Sequence, residues 1–81
     1  MSQDKEFFNV KYKEGSMDPK TAQLVLFAVC VAIGHEGGAK RHLDNARKCG
    51  ASEDEINEAV VYAMRPAAAK VRDLGRKVIG Q

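Results

Sequence analysis

Among the 81 residues of this sequence, the side chains best able to carry chemistry are His35, Glu36 and His42, with Cys30 and Cys49 as the two thiols. Imidazole takes up and releases protons near neutral pH, so each histidine is a candidate general acid or base. His35 and His42 are seven residues apart. On one continuous helix they share a face and stand about 10 Å apart along it. A single metal ion cannot bridge that gap unless the helix breaks at Gly37-Gly38, and zinc would need further ligands that are not obvious in the sequence. No metal and no cofactor are expected.

His42 falls on an inward face with Ala39 and Ala46, where it is either a proton carrier or a hydrogen-bonded core or interface histidine. Glu36 is a second acid or base candidate, and its place in the first turn of a helix is equally explained by attraction to the positive helix end. Lys40 and Arg41, one turn on, could hold a substrate carboxylate or could belong to an exposed face. Cys30 lies inside an apolar run and reads as a small core residue, while Cys49, just before Gly50, reads as partly exposed. They form neither a CxxC motif nor a metal-ligand spacing, and nothing beside either one marks an activated nucleophile.

The elements that must position these groups are marked by caps. Asp18 suits an N-cap and Pro19 the first helical position. A helix is expected over 19–33, apolar all round and ended by Gly34. A second is expected over 36–49, with Ala39, Leu43 and Ala46 inward and Gly50 as its stop. Gly37 and Gly38 weaken its first turn by about 1 kcal/mol each relative to alanine, which suggests a close approach by another backbone or a ligand, or a later helix start. Ser52 and Glu55 form a capping box for a third helix over 53–64, with a stripe at Ile56, Ala59, Val60, Ala63 and Met64. Pro66 can open a fourth over 66–79, with Ala67, Val71, Leu74 and Val78 inward. Residues 6–13 read as a short helix or an extended arm.

The fold class is therefore all-α, in a single domain over 1–81. With 44% apolar and 30% charged residues the chain is too apolar and too nearly neutral for a disordered one. A chain of this size buries only about 60 to 65% of its unfolded surface, so its own core is marginal and a partner surface is expected. The polar start Met1 to Glu6 has no signal-peptide core, and the longest apolar run, Leu24 to Ile33, is ten residues where a membrane span needs about twenty. A cytoplasmic location with no membrane partner is expected. Residues 65–81 hold Arg65, Lys70, Arg72, Arg76 and Lys77 against Asp73 alone, without aromatics to stack bases. That cluster reads as a solvated helix face rather than a nucleic-acid patch.

Taken together, Asp18-Pro19-Lys20-Thr21, Leu24, the run to Gly34, Glu36, His42, Ala46, Gly50-Ala51, Glu55-Ile56 and Glu58-Ala59 resemble the carboxymuconolactone decarboxylase family of the alkylhydroperoxidase D-like superfamily. The resemblance is best over 17–64, looser over 62–79 and weakest before Gly15. It implies an all-α fold of the alkylhydroperoxidase D-like type and homo-oligomers, trimers or hexamers. The family's redox branch carries a glutamate, a CxxC at a helix start and a histidine four residues later. The corresponding places here hold Gln23, His35, Gly38 and His42. A vicinal thiol pair is what attacks a peroxide and then resolves as a disulfide, so the peroxidase chemistry does not carry over.

The decarboxylase branch lacks those cysteines too, and resembles this chain at Gly34, Glu36 and His42-Leu43; it tends to have histidine where this chain has Gly37. The resemblance thus implies a cofactor-free lyase or isomerase on a small carboxylated or lactone substrate, with His42, Glu36 and His35 as catalytic candidates. The alternative is a non-catalytic homo-oligomeric assembly or interaction module on the same fold.

Overall fold

The computed structural model describes residues 3–81, so the first two residues of the polar start lie outside it. The chain runs β1 (Gln3–Phe7), β2 (Val10–Glu14), α1 (Pro19–Ile33), α2 (Glu36–Lys48) and α3 (Glu53–Ile79). The helices dominate, as expected for an all-α chain. No helix among the described residues is long and apolar enough to cross a membrane.

Each helix begins at a satisfied cap. The Asp18 carboxylate accepts from the Thr21 backbone N–H at 2.8 Å with Pro19 next in the chain, and Ser52 and Glu55 close the reciprocal capping box at 3.0 and 2.8 Å. Gly34 turns α1 off at a φ of 79°, in the left-handed region that glycine enters without steric cost. The same turn sends the His35 N–H to the Cys30 carbonyl at 2.8 Å, which ties the start of α2 to the end of α1. At the end of α2, Gly50 N–H meets Arg47 and Ala51 N–H meets Ala46, satisfying two orphan carbonyls.

Two elements differ from the sequence expectation. Residues 6–13 belong to a hairpin, in which Asp4 faces Lys13 and Glu6 faces Lys11, closed by Phe8 and Asn9 at positive φ. Opposite charges across the strands and a two-residue turn with both φ values positive favour this pairing. Every hairpin residue is exposed. The third and fourth helices are one continuous α3, with Pro66 inside it. Proline withholds the N–H that would bond the Tyr62 carbonyl. The helix still continues, because Ala67, Ala68, Ala69 and Lys70 beyond it are strong helix formers.

The core is small: Phe27 of α1 packs with Ile56 and Ala59 of α3, with Leu24, Ala28, Leu43 and Val60 around them. Much apolar surface stays outside, including Ile33, Met64, Val71, Leu74 and Val78. The chain exposes 6617 Å², where a folded monomer of 8.9 kDa exposes about 4,800 Å². Its radius of gyration is 15.9 Å against about 12 Å for a compact domain of this length.

Candidate active site

α1 and α2 pack side by side and bring together two polar residues that are nineteen apart in sequence. The half-buried His42 of α2 lies with Nδ1 2.7 Å from Oε1 of Gln23 on α1. An amide oxygen only accepts, so Nδ1 carries the proton and Nε2 is the nitrogen free to gain or lose one. The amide thus holds the ring in one tautomer without adding charge.

His35 has a different task. It is the N-cap of α2, and its Nδ1 accepts from the Gly38 backbone N–H at 2.7 Å. Nδ1 must therefore be unprotonated, with the ring proton on Nε2. Glu36 is held on the solvent side, where it pairs with Lys40 one turn on at 3.0 Å, its side chain 81% exposed. Arg41 is exposed as well. Of the three residues singled out in the sequence, only His42 has a partner on another helix.

Gly38, whose role the sequence left open, is buried because two side chains occupy the space beside it. A Cβ at this position would lie 2.6 Å from His35 Nδ1 and 2.8 Å from Cys30 Sγ. Contact favours glycine here, since a larger residue would have to displace the His35 imidazole or the Cys30 thiol. Gly37 has open space instead, with nothing within 4 Å of a Cβ there. Cys30 is half-buried and Cys49 exposed, both as free thiols. Among the described residues, no three His, Cys, Asp or Glu side chains gather to hold a metal ion.

A separate groove of about 640 Å³ lies between α1 and α3, walled by Leu24, Val25, Ala28, Val29, Ala59, Ala63 and Pro66. Its polar end is formed by Lys20, Glu55, Glu58 and Tyr62. Lys20 Nζ meets Glu55 at 2.9 Å, and this bond together with the Ser52 N–H holds the Glu55 carboxyl below the ordinary glutamate range. Tyr62 donates its hydroxyl to Glu58, which pushes the phenol up, and the Arg65 guanidinium stands 5.1 Å from the Tyr62 ring centre. None of His35, Glu36 and His42 lines this groove. The small residues Ala28, Ala59 and Ala63 that make room for it were the only trace of it in the sequence.

A model described as the carboxymuconolactone decarboxylase family matches residues 4–74. The chain belongs to the carboxymuconolactone decarboxylase family. No curated protein and no solved structure matches it. The match includes the hairpin and most of α3, beyond the stretch that carried the resemblance in the sequence. In this carboxymuconolactone decarboxylase family member, Gln23 and His42 are hydrogen-bonded to each other across α1 and α2. His35 and Gly38 are joined by the cap of α2.

Proposed function

We propose that this chain is the subunit of a homo-oligomeric, cofactor-free lyase or isomerase acting on a small carboxylated or lactone substrate, with His42 as the group that moves the proton. The observation that carries this reading is the bond between His42 and Gln23 at 2.7 Å. It leaves Nε2 as a proton donor or acceptor in a partly dry setting. Loss of a carboxylate next to an unsaturated lactone leaves charge spread over the conjugated carbons, with the lactone carbonyl as the electron sink. The reaction then needs an acid to reprotonate carbon, which an imidazolium supplies. His35, Lys40 and Arg41 precede His42 on the same stretch of chain and are the candidate seats for the carboxylate that leaves as carbon dioxide.

Assembly into trimers or hexamers is the second part of the proposal. The surface excess of roughly 1,800 Å² over a compact monomer is of the size that one chain contributes to an extensive interface.

A second reading, an assembly or interaction module without catalysis, is favoured by the engagement of His35 in a helix cap and of Glu36 with Lys40. Turnover of carboxymuconolactone by the wild type and by His42→Asn separates the two. The lyase reading expects at least about a hundredfold loss with the oligomer intact, since a placed acid or base contributes 10² to 10⁴ in rate. Full activity in the variant removes His42 from the chemistry. Absence of turnover in the wild type favours the module.

A further inference from the structure

The groove between α1 and α3 is built by the two helices in step. Lys20, Leu24, Ala28 and Ala32 recur every fourth residue on α1, as do Glu55, Ala59, Ala63 and Ala67 on α3, so each row is one ridge of its helix. Lys20 meets Glu55 at 2.9 Å, which sets the helix starts side by side and leaves Ala32 and Ala67 about 18 Å further along. The alanines are too short to meet across the gap. They leave a channel of about 640 Å³ with apolar walls and a few polar groups at one end, the form that a small-molecule site takes.

The charges at that end say what the channel fits. Lys20 and Glu55 are engaged with each other and cancel. Glu58 accepts from the Tyr62 hydroxyl, a neutral partner, and among the described residues no cation pairs with it. The Arg65 guanidinium stands 5.1 Å from the Tyr62 ring centre and does not line the groove. The charge left over at the lining is therefore the one carboxylate of Glu58. Glu55 raises the Lys20 ammonium above its ordinary value and Glu58 does the same to the Tyr62 phenol, so both keep their protons at neutral pH. This end of the groove is built to hold a charge, not to move a proton.

We propose that the groove binds a hydrophobic amine, with its protonated ammonium head beside Glu58 and its alkyl chain along the alanines between α1 and α3. The chain leaves water for apolar walls, and the head supplies the cation that Glu58 lacks. A carboxylate in the same place would stand against both Glu55 and Glu58, so a carboxylated molecule has the wrong sign for this groove. The site is separate from the one proposed for the lyase, since neither His42 nor Gln23 lines the groove.

The test is calorimetric titration of the full chain at neutral pH with octylamine, octanoate and octanol, each below the concentration at which it aggregates. Octylamine should bind once per chain and at least about tenfold more tightly than octanoate, because the Glu58 carboxylate attracts one head and repels the other, with octanol between them. Glu58→Gln, at an exposed position, should weaken octylamine about fivefold without weakening octanoate. Glu58→Lys should reverse the preference. Ala63→Phe fills the channel and should abolish binding of all three, with circular dichroism to establish that it is folded. Ala67→Phe, at the exposed far end, serves if that variant unfolds and should weaken all three alike. Octanoate bound as tightly as octylamine, an octylamine affinity unchanged in Glu58→Gln, or full affinity with phenylalanine in the channel would overturn the site. So would a wild type that takes up no octylamine at millimolar concentration, whether its groove is bare or covered by a second copy.

Discussion

His42 of α2 and Gln23 of α1 are joined by a single hydrogen bond of 2.7 Å, the one side-chain link that holds the candidate proton carrier in place from another helix. Replacing Gln23 with alanine frees the ring to rotate and leaves both tautomers open. Lactone turnover by Gln23→Ala should fall about tenfold or more, and thermal unfolding should show a loss of about 1 kcal/mol, the net worth of such a bond. Unaltered turnover would mean that the bond is structural only.

Gly38 is the position where a methyl group has least room. Because its Cβ would meet His35 Nδ1 and Cys30 Sγ within 3 Å, Gly38→Ala should destabilise the chain by about 1 to 3 kcal/mol, although alanine is the better helix former. The neighbouring Gly37→Ala, with open space around it, should instead be neutral or stabilising. Chemical denaturation of the two variants reads this difference, and equal effects would contradict it.

Acid should weaken the fold through three carboxylates whose native partners hold them below their ordinary values: Glu55 by Lys20, Glu53 by Arg47 and Asp18 by the Thr21 N–H. A depressed native value means that the stabilisation is fully present above the unfolded value, 4.5 for glutamate and 3.8 for aspartate, and is lost as the pH falls below it. Melting temperature should therefore decline as the pH drops from about 5 toward 3. The decline should be shallower in Glu55→Gln, which no longer titrates. An identical pH profile in the variant would show that Glu55 contributes nothing to acid sensitivity.

Assembly should also show in the melt. If the subunits fold and associate together, the melting temperature rises with protein concentration, whereas a self-sufficient monomer melts at one temperature throughout. A concentration-independent melt with a monomer mass by light scattering would contradict the proposed oligomer.

The helices α1 and α2 and the start of α3 were legible in the sequence because their ends carry chemistry of their own. Asp18-Pro19, Gly34, Gly50 and the Ser52–Glu55 box each satisfy backbone groups locally, and local effects survive any tertiary arrangement. The hairpin was not legible, because its strands bury no face and so lack the alternation that marks a packed strand. Its signal was in the facing charges Glu6 and Lys11 around Asn9. Pro66 reads locally as a helix start, and only the run of helix formers on both sides carries α3 through it.

For the site, the inward face of His42 was readable from helical spacing, but its partner Gln23 was not, since that contact depends on how α1 packs against α2. His35 and Glu36 stand out in the sequence by residue type and adjacency. A helix start makes other demands on both, a cap from the first and an i,i+4 ion pair from the second.

The claim that proton transfer, not thiol chemistry, is the activity of this fold is tested most directly in a cysteine-free protein. Cys30→Ser/Cys49→Ser should keep lactone turnover within about threefold of the wild type, because serine fills nearly the same space and proton transfer by His42 needs no thiol. Turnover lost with the thiols, or hydroperoxide reduction by the wild type that Cys49→Ser abolishes, would contradict it.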